Sequence, residues 1–504
     1  MQPGKIKLTA ALLLLAVVPA FFVLAACTAS GEPVRITVIH INDTHGRTQA
    51  EPYISALAQG LRGKGENVLI FDAGDRLHGQ TAANLTKGES MAEVMNAAGY
   101  DAMVPGNHDF AFGVPRLAEL SEMMHFPLLA ANVQSNGKNI FDSYKIFTMN
   151  GLKVGVFGIA TPETIASSDP RVMAGLSFGD PAQTARAAAG KLKAQGCKVI
   201  IALAHLGGDE LSAPADKSDA LAAVPGIDVI IDGHSHTLLE NGRISGGALI
   251  AQAGEYAQHI GIVEIAVSGS SITKTARVIP IPKSGEAAGL IPDQEVIAVI
   301  AGADEKIKPI TSVAVSQTPV LLNGERESVR TGETNLSNLI ADSMLWATGA
   351  DIAILTGGNI RSSIPAGDIT MGHILTVLPY SNLLVTVELS GADLLSAFEH
   401  GVSLYPAPAG LFIQVAGVSF EFDPHAEQGC RVQKAAMVNG ATLDANKTYT
   451  VATIDFIAAG GDGYTMVAAG AALVYYGGNA EAFADYLATD PAIGAEPEGR
   501  ITVR

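Results

Sequence analysis

Thiols are almost absent from this chain. Its 504 residues hold three cysteines, Cys27, Cys197 and Cys430, too few and too scattered for a disulfide framework. Positive charge is also short. Lys and Arg number 32 against 50 Asp and Glu, a net charge of −18, which argues against a nucleic acid polymer as partner. Beyond the first two dozen residues no apolar run is long enough to span a membrane, and no internal repeat is visible. What is present is 48% hydrophobic, 16% charged and frequent in glycine, the composition of a folded globular protein. This length exceeds one ordinary core, so two domains are expected.

Five short apolar runs each end in a cluster of His, Asp and Asn: ITVIHINDTHG, NVLIFDAGD, AMVPGNHD, VIIALAHLGG and DVIIDGHSHT. Each run holds enough β-favouring residues for a buried strand, which puts its polar cluster at one rim of a sheet, where sites form. The clusters supply Asp43 and His45, Asp72 and Asp75, Asn107, His108 and Asp109, His205, and His234 and His236. Any one alone is commoner as a turn or a helix cap; five in order at strand ends are not. Imidazole, carboxylate and amide donors without thiolate suit Mn, Zn, Co, Fe or Mg, and the number fits two divalent ions. Asp75 is the best candidate for a bridging carboxylate, and Asp72 stands behind the ligands. Two residues apart in an extended segment, Asp43 and His45 point the same way, as do His234 and His236. His40, His78, His125 and His259 read as structural or surface residues.

Lys5 and Lys7 precede an apolar stretch from Leu8 to Leu24, then Leu24-Ala25-Ala26-Cys27. Residues 1–26 are expected to be a lipoprotein signal peptide, with Cys27 as the lipidated residue. The mature protein is then exported and anchored to the cell envelope, at the outer membrane on its periplasmic side or at the cell surface. Alternating strand and helix patterns predict a first domain over 34–285. A Pro- and Gly-rich stretch from Ile279 to Glu295 marks a boundary, a linker with a helix covers 286–311, and a second α/β domain covers 312–504.

The series D-x-H, GD, GNHD, a later His and GHSH resembles that of the calcineurin-like metallophosphoesterases. HINDTHG, GNHDFAFG and GHSHT are similar more closely to the 5′-nucleotidase family, which includes UDP-sugar hydrolases and 2′,3′-cyclic-nucleotide phosphodiesterases. The resemblance implies an α/β fold: a four-layer αββα metallophosphoesterase domain joined by a linker helix to a smaller α/β substrate-binding domain. It implies one ion held by Asp43, His45, Asp75 and His236, and another by Asp75, Asn107, His205 and His234. His108, outside that set, would stabilise the transition state or protonate the leaving oxygen. Asp109 is the adjacent acidic candidate, since Ala111 stands where the family motif carries an acidic partner for the histidine.

In the second half, RESVRTGETNLSNLIADSM, LTGGNIRSSIPAGDIT, LPYSNLL and IDFIAAGGDGY resemble the family's substrate domain. By position, Arg326, Arg330 and Arg361 match its phosphate- and ribose-side arginines. Tyr380 and Phe456 match the aromatic pair that sandwiches the base, and Asn382 and Asp462 match polar contacts to base and ribose. Thr356 and Asn359 depart from the usual NGGGIR. The activity implied is dimetal hydrolysis of nucleoside 5′-monophosphates. Cyclic nucleotides, UDP-sugars, NAD or another ester are the alternatives on the same site, and a lipid-anchored solute-binding protein is the non-enzyme alternative.

Overall fold

The computed structural model describes residues 32–504, apart from 168–172, 174, 209–211, 282–288, 381 and 471. The leader, Cys27 and the centre of the Ile279–Glu295 stretch therefore lie outside the described residues.

Two sheets face each other in the first domain. One has five strands in the order Ser271–Pro280, His259–Ser268, Val34–Ile41, Asn67–Asp72 and Ala102–Met103. The other has six, in the order Arg243–Ser245, Ala248–Ala251, Val229–Ile231, Val199–His205, Leu152–Ala160 and Tyr144–Met149. Strand parity assigns the faces. Leu69 and Phe71 meet Val199, Ile201 and Leu203 between the sheets. Val68 and Ile70 turn outward to residues of helices Glu51–Arg62 and Glu89–Ala98. Ile200, Ala202 and Ala204 turn outward to helix Pro181–Ala194. Helix, sheet, sheet and helix give the four layers.

Three neighbouring strands of each sheet run parallel: Val34–Ile41, Asn67–Asp72 and Ala102–Met103 in one, Leu152–Ala160, Val199–His205 and Val229–Ile231 in the other. Within each sheet their C-terminal ends fall on one rim, and Ile41 is level with Asp72, which is level with Met103.

The second domain has its own core from Leu322 to Ile501. A five-stranded sheet runs Ile413–Ala416, Ile352–Thr356, Thr448–Ile454, Leu383–Ser390, Ala472–Gly478. Helix Gln294–Thr311 connects the two domains but is built onto the first. Val296 is buried with Tyr53, Ile54 and Val94, the Asp293 carboxylate accepts from Ser55 and Gln59, and Lys306 pairs with Glu93.

Candidate metal centre

The five strand-end loops converge. Three donor groups form, each with its atoms within 4.8 Å of one another: Asp43, His45 and His236; His45, Asp75 and His108; Asp43, Asp75 and His205. Asp75 Oδ2 lies 3.8 Å from His45 Nε2 and 3.5 Å from His205 Nε2, so one oxygen faces both sides of the cluster. Its other oxygen accepts the His108 backbone N–H at 2.8 Å. His236 Nε2 is 3.3 Å from His45 Nε2 and 3.5 Å from Asp43 Oδ1. His234 sits apart from His236. Its Nδ1 is 3.1 Å from Asn107 Oδ1 and its ring centroid 5.1 Å from that of His205.

Convergence does not come from extended backbone, as the two-residue spacing predicts. Asp43, His45, Asp75, His234 and His236 all have φ between 48° and 79°, the left-handed region that non-glycine residues seldom occupy. Such strain costs about 1–3 kcal/mol per residue and gathers at functional sites. It also sends His234 and His236 to different parts of the cluster instead of gripping one point together. Close approach of the loops needs bare backbone. A Cβ on Gly106 would lie 2.2 Å from Asp75 Oδ1, and one on Gly74 would lie 2.6 Å from His205 Nδ1.

The cluster fits a cation. The buried His205 places Nδ1 2.6 Å from the Ala73 carbonyl. A carbonyl only accepts, so Nδ1 carries a hydrogen and Nε2 is the nitrogen left to meet a proton or a metal ion. That Nε2 is buried with no hydrogen-bond partner and faces Asp43 and Asp75. Burial opposes charge on this ring, yet Asp75 and Asp43 outweigh it and push its pKa up to about 10. Buried carboxylates that draw a proton onto imidazole at that strength call for positive charge.

Asp109 does not orient His108. Its carboxylate accepts four backbone N–H groups, from Asp75, Arg76, Leu77 and Gly106, at 2.7–2.9 Å. It clamps the Asp75 loop, and its hydrogen bonds go to backbone N–H groups. Asp72 likewise accepts from Gly74 N at 2.8 Å. Beneath the loop lies Arg76, 0% exposed, paired with Glu51 at 2.7 Å; Tyr100 donates to the same Glu51.

From the second domain, Arg361 and Tyr380 line a cavity of about 120 Å³ with His45, Arg47, His78 and Tyr256. Arg326 reaches Glu255 at 3.3 Å. Burial, then Arg361 and Arg326, lower the Arg330 pKa to about 10. Asn382 and Phe456 make their contacts inside the second domain, while the turn Gly461–Gly463 that carries Asp462 packs against Thr164–Ser167 of the first. Asn382 donates to Asn359 at 3.0 Å, Asn359 to Thr356 at 2.8 Å and Thr356 to Asp462 at 3.3 Å, so the two departures from NGGGIR link the two expected polar contacts. Among the described residues no ring contact joins Tyr380 to Phe456. Tyr380 instead stacks on His78, with centroids 5.1 Å apart, and lies 6.3 Å from His108.

The sequence reading did not place several residues at the site, Tyr256 among them. His78, expected to be structural or surface, is 2% exposed and lines the cavity. Arg47 lies over the Tyr256 ring at 3.9 Å. Glu163 and Glu255 hydrogen-bond His234 and His236. Only the position of Arg47 beside HINDTHG could have flagged it.

A profile for calcineurin-like phosphoesterases matches residues 36–238, and one for the 5′-nucleotidase C-terminal domain matches 311–469. The chain is 32% identical to the trifunctional nucleotide phosphoesterase protein YfkN of Bacillus subtilis over 86% of its own length, and spans about a third of that protein, 32%. It is 30% identical to protein UshA of Escherichia coli, covering 88% of this chain and 89% of UshA. The crystal structure of a 5′-nucleotidase precursor from Thermus thermophilus superposes with a TM-score of 0.80 at 31% identity, covering 93% of this chain and 99% of that one. The chain belongs to the 5′-nucleotidase family of calcineurin-like phosphoesterases and is a metal-dependent phosphoester hydrolase.

Proposed function

We propose that this protein hydrolyses nucleoside 5′-monophosphates to nucleoside and phosphate with two divalent ions, in the cell envelope. The observation that carries the reading is the cavity where Arg361 and Tyr380 of the second domain meet His45 of the metal cluster. Asp43, His45, Asp75 and His236 would hold one ion, and Asp75, Asn107, His205 and His234 the other. Bound there, the ions supply Lewis acidity to the phosphoryl oxygens and make water a nucleophile near neutral pH.

The chain's own groups do the rest. Asp75 Oδ2 faces both halves of the cluster. Burial, aided by Arg361, lowers the His108 pKa to about 4, so the ring is neutral near pH 7 and acts as a hydrogen-bond donor to developing charge on the leaving oxygen. Arg361 supplies a guanidinium fork for phosphate oxygens, with Arg330 and Arg326 beside it. Phe456, Asn382 and Asp462 take the nucleoside. Because Tyr380 packs on His78, base stacking falls first to Phe456. Cyclic nucleotides, UDP-sugars and NAD remain the competing substrates.

Phe456→Ala separates nucleoside recognition from phosphate chemistry. KM for AMP should rise about 5- to 150-fold, the equivalent of roughly 1–3 kcal/mol for one stack, while turnover of a small non-aromatic phosphate ester holds. If both substrates fall together, the ring is core packing and the nucleotide assignment loses its support.

The envelope location rests on the leader and Cys27. No helix among the described residues is long and apolar enough to cross a membrane. A diacylated cysteine anchors stably where a single chain does not. Cys27→Ser should release the protein or leave its leader uncut, with hydrolysis intact; unchanged membrane recovery and lipid labelling would refute the anchor.

A further inference from the structure

Two carboxylates stand behind the GHSH histidines, and neither belongs to the donor groups of the metal cluster. Glu163 Oε2 lies 2.9 Å from His234 Nε2, while Nδ1 of that ring faces Asn107 Oδ1 at 3.1 Å. Glu255 Oε2 hydrogen-bonds His236 Nδ1, while Nε2 of that ring faces Asp43 and His45. In each ring one nitrogen looks into the cluster and the other meets a carboxylate. An ionised carboxylate only accepts, so the outer nitrogen carries the hydrogen and the inner one keeps its lone pair. Glu255 Oε2 has a second claimant, because Arg326 Nη1 reaches it from the second domain at 3.3 Å.

We infer that Glu163 and Glu255 are positioning residues that fix the tautomer and aim of His234 and His236 toward metal, and that Arg326 draws on Glu255, so the second domain adjusts the grip on the ion. The inference rests on His234 and His236 being metal ligands, as proposed above. Outer carboxylates of this kind orient the ring and raise its basicity as a ligand, and their loss weakens metal binding. Arg326 is exposed and donates to the oxygen that His236 uses, so its positive charge draws on the same carboxylate. A substrate phosphate that engages Arg326 leaves Glu255 to His236 alone, and metal binding tightens as the pocket fills.

The test is a calorimetric Mn²⁺ titration of the chelator-stripped full-length protein. Glu255→Gln and Glu163→Gln should each weaken Mn²⁺ binding about 10- to 100-fold. Arg326→Gln should tighten it by about 2- to 5-fold, the range of a partly exposed ion pair, and should have no effect in the Glu255→Gln background. His236→Gln is the control for the underlying reading. If it leaves Mn²⁺ binding unchanged, the ligand assignment fails. If it weakens binding while both Glu variants match the wild type, only the positioning role fails. A glutamine variant that does not fold, judged by circular dichroism, leaves the decision to the exposed Arg326→Gln, where unchanged affinity overturns the coupling.

Discussion

Asp75→Asn should drop hydrolysis to the level of the metal-free protein and lower the bound metal. The substitution keeps shape and removes charge. Asp75 Oδ2 faces His45 and His205 at 3.8 and 3.5 Å, and Oδ1 accepts the His108 N–H. An amide cannot fill both places well. With its nitrogen toward His108 it sets donor against donor; with its nitrogen toward the histidines it presents hydrogens where a cation is to bind. The buried neighbours would also lose a negative charge that helps hold the ion. Metal analysis beside an AMP assay checks this, and two ions with normal turnover would remove Asp75 from the bridging position.

His108→Ala should lower kcat by about 10²–10³-fold, the span of a lost hydrogen-bond donor to developing charge, with metal content unchanged. This is the sharper of the two tests, because the structure also lets His108 join His45 and Asp75 as a donor group. Loss of metal in the alanine variant would make His108 a ligand and redraw the site. Loss of rate alone keeps it at the leaving oxygen. Asp109 is no substitute, since both its oxygens are occupied by the Asp75 loop.

The metal cluster was legible because its chemistry is local. A strand end fixes where Asp43, Asp75, Asn107, His205 and His234 emerge, and parallel strands bring those ends to one rim. The four layers follow from parity, seen in the opposite faces of Val68 and Leu69. The loop conformations were not legible. Period-two spacing assumes extended backbone, and Asp43 and His45 have φ of 51° and 48°. Glu255 lies 19 residues beyond His236 and reaches it through the fold. His78 meets Tyr380 only because the domains pack together, which no local pattern encodes. The same contact covers one face of Tyr380 with the His78 ring. Asp109 looked catalytic from adjacency alone; its four backbone donors come from folding of the Asp75 loop.

The measurement that bears most directly on the account is phosphate release from AMP by the chelator-stripped full-length protein, before and after Mn²⁺ is restored. No release is expected without metal, with recovery on adding Mn²⁺ and a higher kcat/KM for AMP than for a small phosphate ester that has no base to stack. Release that ignores chelation would contradict the metal mechanism, and metal-restored cleavage of the small ester with AMP untouched would contradict the nucleotidase.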